Sequence, residues 1–495
     1  MKEKIIFWID ADLTAFCLAY FLQQKIDAEF YAIIDITNRP KKFFLNQKIV
    51  NFQKVWFYHD YVMKNNDDIP DYKTFGLNLD ELVKNDRIFN PKYNEFYNFT
   101  KNEINSILSN ELLLFNEVFS VQPTIFITSE TALRPHHTFH QLCQFKKIKT
   151  LMLNNTNWGG NLCYISENYH RINNFENQFK IKKYNSYTFE QLQERLKEKI
   201  LSKSLTNFYN KNRKSKLQKL YAAFQLLFIS NNDNTKTHYT YFGRKKFLVL
   251  INEIKNTINF LTRQRYIDKN FSSELPENKN LIFFPLQQEP ERSLLISTPQ
   301  YSNQMKTIDF ISKSIPKDYV LIVKEHPTQG PGRGWRQLSD YEQFKNNPKI
   351  FFIHPSTPAS DIIKKSKLVI SVSGTASLEA SFLNVPSITF AKNDFSTISS
   401  IQKFNQDDNL SALIEKSLNL KVDPNQIGTY FDILEENSFI FDLLNFQLDY
   451  LSTFYLNGNL ADIEIDDSKM KNFLIQQKEK FVNVVNSFEQ KIIKD

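Results

Sequence analysis

The chain has 495 residues, of which 41% are hydrophobic and 23% charged, and it carries a formal net charge of +8. This is the make-up of a globular protein with room for two or three domains, whose core needs neither disulfides nor a structural metal. The charge is too weak for a nucleic-acid binder, the 3 cysteines form no CxxC, and no run of about eighteen apolar residues would span a bilayer.

The N-terminus, MKEKIIFWIDADLTAF, has one short apolar run followed by acids, which is not a signal peptide. Cys17, Cys143 and Cys163 each lie in or beside apolar runs, so the expected setting is reducing and cytoplasmic. IIFWI reads as a buried parallel strand, and helical spacing follows through DADLTAFCLAYFLQQK. EFYAIIDI, KVWFYHDYV, TIFITS and KTLMLN are further strand candidates, with helical patterning at 101–118 and through TFHQLCQFKK. The β/α alternation predicts a Rossmann-like domain over 1–165.

Residues 166–275 are polar, basic and helical in pattern, an expected insert or bridge. Its KNRKSKLQK stretch (211–219) holds five basic residues and no acid. Such a run is a solvated helix face, or a contact with an anionic polymer or with anionic lipid at the inner membrane. From 280 the β/α rhythm returns through NLIFFPL, YVLIV, KIFFI and KLVISV, predicting a second doubly wound domain over 276–400. The tail, 401–495, is helical in pattern and is expected to pack back on the first domain. The fold class is α/β: two facing Rossmann-like domains, a helical insert and a helical tail.

Open α/β sheets bind ligands at the carboxyl ends of their strands. Three loops of the second domain fall there. The first carries Gln287, Gln288, Glu289, Glu291 and Arg292, a set suited to a polar ligand. The second is VKEHPTQGPGRGW, where Lys324 offers a point charge for phosphate and His326 a donor or general acid. Gly330, Gly332 and Gly334 are expected to let this loop swing over a ligand. The third is VISVSGTASLEASF: strand, Ser373-Gly374-Thr375, then a helix start carrying Ser377 and Glu379. Free N–H groups there bind anions, although a plain capping box closed by Glu379 fits the same letters. Walker, GxGxxG and GxSxG patterns are missing, which disfavours an ATPase, a nicotinamide enzyme and a hydrolase. HExxH is missing too, and His136 and His137 are adjacent rather than spaced to share a helix face, so no metal is expected.

The run from FFPLQQEPERSLL through VKEHP to SVSGTASLEASFLNVPSITF resembles the bacterial capsule and surface polysaccharide glycosyltransferases of the GT-B fold, over about 280–395. That group includes transferases that use CMP-activated keto-sugar acids such as Kdo and sialic acid. The resemblance implies that His326 and the Ser373–Thr375 cluster hold the nucleotide phosphate of the donor. It also implies that a first-domain carboxylate activates the acceptor hydroxyl. The segment TIFITSETALRPHH would place Glu130 as that base, with His136 and His137 on the acceptor side. Asp10 and Asp12, ending the first strand, are competing carboxylates, since the family's acidic-acidic-Gly signature is replaced by Ser129-Glu130-Thr131.

The expected activity is therefore transfer of a sugar from a nucleotide-sugar to a glycan or glycolipid acceptor. The expectation includes no cofactor, no metal and no nucleic acid. Asp10-Ala-Asp12 has the letters of a metal-binding DxD, but at a strand end it reads as a cleft-shaping turn. A non-hydrolysing UDP-sugar epimerase and a non-catalytic polysaccharide-binding or scaffold module are the alternatives.

Overall fold

The structure, a computed structural model, describes residues 2–64, 76–131, 133–156, 158, 161–169, 171–183, 185–198, 216–230 and 238–493. Most of KNRKSKLQK, residues 211–215, lies outside the described residues. The chain divides into two compact units: Met1–Asn173, Leu201–Asn252 and Asn437–Asp495 in the first, Asn174–Ile200 and Glu253–Glu436 in the second. The segment read as a bridge, 166–275, is thus shared between the units, and the first part of the tail belongs to the second unit. Among the described residues no helix is long and apolar enough to cross a membrane.

The first unit holds β1 (Lys4–Ile9), β2 (Glu29–Ile34), β3 (Phe52–Phe57), β4 (Ile125–Ser129), β5 (Lys149–Asn155), β6 (Leu162–Ser166) and, from the tail, β13 (Ser438–Ile440), in the order β13-β6-β5-β4-β1-β2-β3. The five strands from β5 to β3 are parallel, while β6 and β13 each run antiparallel to their neighbours. Strand β1 shows why the sequence run is continuously apolar. Ile5, Phe7 and Ile9 enter one buried cluster and Ile6 and Trp8 the opposite one, so both faces are covered. The long tail helix Asp467–Ile493 lays Phe481, Val484, Val485 and Phe488 into the first cluster beside Phe21 and Leu22. KVWFYHDYV is not one strand: β3 ends at Phe57 and a short helix, Tyr58–Val62, follows.

The second unit holds β7 (Asn280–Pro285), β8 (Tyr319–Lys324), β9 (Ile350–Ile353), β10 (Ser366–Ser371), β11 (Ser387–Thr389) and β12 (Ile401–Lys403), in the order β12-β11-β10-β7-β8-β9. Every pairing is parallel. The chain builds outward from β7 to β9, then returns to the other side of β7 with β10. This reversal makes the carboxyl ends of β7 and β10 the topological switch point, where such sheets open a crevice for ligands.

Candidate functional site

The loops after β7 and β10 meet across that switch point. The Gln287 amide donates to the Ser373 hydroxyl at 2.6 Å, and its Oε1 is buried without a hydrogen-bond partner. Gly374, next in line, has open space where a side chain would stand, so its backbone can meet a ligand closely. Lys324 ends β8 alongside. It is 4% exposed and forms no ion pair among the described residues. Burial pulls its ammonium down to about 8, against the pull of Glu325 and Glu379. His326 is drawn down to about 4 by burial and by the charges of Lys324 and Arg336, so it is neutral at pH 7. Its Nδ1 accepts from the Thr328 backbone N–H at 3.2 Å, which leaves Nε2 as the N–H donor. A neutral ring of this kind is a hydrogen-bond donor to phosphate and a poor source of protons.

Behind these groups the loops are locked. Arg336 binds Glu289 at 2.5 Å and Glu325 at 2.8 Å, and donates to the Gln287 carbonyl at 2.9 Å. The Tyr341 hydroxyl adds a 2.7 Å bond to Glu325, and the Gln304 amide a 2.8 Å bond to Glu289. Glu289, expected to touch ligand, is therefore held in a buried charge network that fixes the shape of its loop. Ser377 is likewise turned inward: its hydroxyl meets Ser371 at 2.8 Å and it is fully buried. The capping box does not form, because the Thr375 hydroxyl donates to the Glu379 side chain at 3.0 Å instead. The helix, Ala376–Phe382, has only seven residues, so its dipole adds little beside the Lys324 charge. The glycine-rich loop also differs from expectation. A Cβ on Gly330 would meet the Trp335 ring at 2.3 Å, and Gly334 takes φ +84. These glycines serve packing and a tight chain reversal, and residues 329–333 form a helical turn.

The edge of the first sheet carries acids and imidazoles. Asp10 follows β1 directly and its Oδ1 accepts from the Asp12 N–H at 2.8 Å. Asp12 accepts in turn from the Thr14 N–H at 3.0 Å and from its hydroxyl, just ahead of the helix Thr14–Leu22. Burial, then the charges of Asp12 and Asp35, raise the Asp10 carboxyl well above the usual range. Glu130 follows β4 and is half-buried. His136 is not on an open acceptor face: it is buried, stacked on Trp8 at 4.8 Å and bonded to Thr128. His137, its neighbour on the helix Arg134–Phe145, is half-buried.

Residues 206–399 match the family of capsule polysaccharide biosynthesis proteins. This capsule-synthesis segment takes in β7 to β11 with Gln287, Lys324, His326 and Ser373, and the family resemblance read from the sequence is borne out over it. No curated protein matches the chain. Among solved structures, a putative UDP-N-acetylglucosamine 2-epimerase from Listeria monocytogenes is 11% identical, with 88% of this chain and 95% of that one covered and a TM-score of 0.25. The UDP-GlcNAc 2-epimerase of Neisseria meningitidis, bound to UDP-GlcNAc, is 10% identical, with 88% and 98% covered and a TM-score of 0.27. A beta Kdo 2,4 transferase of Thermosulfurimonas dismutans is 9% identical, with 68% and 92% covered and a TM-score of 0.32. Likenesses at these scores carry no argument about activity.

Two features of the site escaped the sequence. Arg336, which closes the network behind the loops after β7 and β8, follows directly on the glycine-rich stretch. The group Asp35, His59 and His238 gathers at the first sheet's edge from distant positions. Its third member is brought there by Tyr239, whose hydroxyl donates to Asp86 at 3.1 Å beside the buried Arg134. Arg134 in turn binds Asp86 at 2.8 Å and Glu111. No spacing rule links residues this far apart, so only the fold reveals them.

Proposed function

We propose that the chain is a glycosyltransferase of capsule polysaccharide biosynthesis whose nucleotide-sugar donor sits at the switch point of the second sheet. The observation that carries this reading is Lys324: a buried cation that Glu325 and Glu379 attract but with which neither forms an ion pair, beside the Gln287–Ser373 bond and the open Gly374 backbone. A buried ammonium with no anion at bonding distance is costly, and a donor phosphate would supply one. On transfer, the sugar–phosphate bond breaks as the acceptor oxygen attacks. The charge gathering on the leaving phosphate is then met by the Lys324 ammonium, the His326 N–H and the Ser373 hydroxyl, joined by Thr375 if its hydroxyl turns from Glu379 to the ligand. The acceptor hydroxyl needs a base. Asp10, whose carboxyl is raised well above the usual range by burial and by Asp12 and Asp35, suits that role better than Asp12, which is engaged by the Thr14 N–H and hydroxyl. A CMP-activated keto-sugar acid is the donor class favoured by the resemblance.

The acceptor side of this reading includes a membrane. Leu217, Leu220, Tyr221, Phe224, Phe228 and Phe247 are all at least half exposed, and Leu217 reaches 79%. Residues 201–252 also hold ten lysines and arginines against one aspartate, so the rest of the chain is close to neutral. Apolar side chains among cations suit an anionic bilayer surface. Vesicles of phosphatidylglycerol should sediment the protein and those of phosphatidylcholine should not, and Phe228→Asp should weaken that binding.

The deciding experiment is calorimetry with CMP, UDP, GDP and CDP, followed by incubation with the matching nucleotide-sugar. Release of nucleotide only when a glycan acceptor is present supports transfer. Interconversion of UDP-GlcNAc without acceptor would replace it with epimerisation, and no nucleotide binding at all would leave a scaffold.

A further inference from the structure

Asp35 follows β2, His59 opens the helix Tyr58–Val62 after β3, and His238 opens the short turn Tyr239–Tyr241. His59 Nε2 lies 3.3 Å from Asp35 Oδ1, and His238 Nε2 lies 3.9 Å from the same oxygen. The three bonding atoms are all within 4.8 Å of one another. Both imidazoles are 5% exposed. Both ring nitrogens of His59 and Nε2 of His238 are buried without a hydrogen-bond partner of good geometry. Buried imidazole nitrogens that face a carboxylate and leave these bonds unmade are a costly arrangement.

We propose that Asp35, His59 and His238 form a binding site for a zinc-type divalent transition-metal ion, with a fourth position open to water or an oxygen ligand. Two imidazoles and one carboxylate are the donor set of such sites and are too soft for magnesium or calcium. Bonds of about 2.0–2.2 Å to a tetrahedral ion set neighbouring ligands roughly 3.3 Å apart. The His59–Asp35 pair already stands at that separation, and His238 needs only a small swing. The surroundings supply the second layer of contacts that orients ligands. The Trp8 side chain bonds Asp35. His238 Nδ1 meets the Thr240 hydroxyl at 2.5 Å, and donation to that oxygen leaves the Nε2 lone pair facing the site. The opposing contact, Thr240 N–H to Nδ1 at 3.1 Å, favours the other tautomer, so metal binding selects between the two. Of the nearby cations, Arg134 is ion-paired with Asp86 and Glu111, and Lys41 with Asp60.

The test is a Co²⁺ titration of chelator-stripped, full-length protein, followed by visible absorption, then displacement by Zn²⁺. One equivalent per chain, with the strong bands of four- or five-coordinate Co²⁺, is the expected result. His59→Gln and His238→Gln should each weaken uptake at least tenfold, while His354→Gln, at the exposed pair with Asp268, should leave it unchanged. No uptake by the wild-type protein at micromolar Co²⁺, a six-coordinate spectrum, or uptake indifferent to both variants would overturn the site. Because the wild-type titration decides by itself, a variant that fails to fold does not rescue the proposal. The readout is binding, so it stands or falls separately from sugar transfer.

Discussion

At the edge of the second sheet, Arg336 ties down Glu289 and Glu325, while Lys324 forms no ion pair among the described residues and has amide and hydroxyl groups beside it. At the edge of the first, Asp10, Asp12, Asp35, His59 and His238 crowd together, and burial drives the acids up and the rings down. Asp35 rises to about 7 and His59 falls to about 3, with desolvation the leading cause for both. One architecture thus carries two sets of groups: an ammonium with amides and hydroxyls at one edge, carboxylates with imidazoles at the other. The difference teaches that strand topology only chooses the location. The loop side chains, and which of them are already spent on one another, choose the ligand.

The comparison breaks most visibly at Arg336. Arg336→Met leaves two buried carboxylates without a cation, and the second unit should lose about 3–5 kcal/mol, read by denaturant unfolding. A smaller effect is expected at Lys324. Lys324→Met removes the charge but keeps the length, and nucleotide affinity should fall by about 1.5–3 kcal/mol, the worth of a bond to a charged group, while stability holds. Unchanged affinity in calorimetry would move the donor site elsewhere.

A pH series sharpens the same point. The Lys324 ammonium is the form that binds anions, and its folded value of about 8 lies below the ordinary 10.5. Nucleotide affinity should therefore decline as pH rises through 8, at most tenfold per unit, and Lys324→Arg should flatten the profile. For stability the sign is opposite. A lowered ammonium favours the folded state fully above 10.5, and this contribution fades as pH falls toward 8. The smallest effect is at the hydroxyls. Ser373→Ala with Thr375→Val should weaken nucleotide binding by roughly 1–3 kcal/mol, within the range of a bond or two to phosphate.

Much of this fold was legible because buried parallel strands advertise themselves. IIFWI and LIFF are apolar without a break since both faces of each sheet are covered. Strand-to-loop transitions with unusual chemistry, such as KEHP and SGT, marked the second sheet's edge for the same reason. What stayed hidden depends on contacts between distant residues. Nothing in the letters distinguishes Glu289, bound up with Arg336, from a side chain open to ligand, or Ser377 from Ser373. His136 looked available beside His137, yet the helical turn carries it under Trp8. His59 and His238 meet only after the chain has folded.

The tail returns to complete the first sheet with β13 and to cover its core with the helix Asp467–Ile493. In sequence, residues 253–436 of the second unit thus fall between segments of the first. On the ribosome, residues 253–436 emerge complete while the first unit still lacks its last strand and the cover over Phe21 and Leu22. A stop codon near position 437 should therefore spare the later-made unit and cripple the earlier-made one. The N-terminal half of this protein must wait, partly exposed, for its C-terminus to arrive.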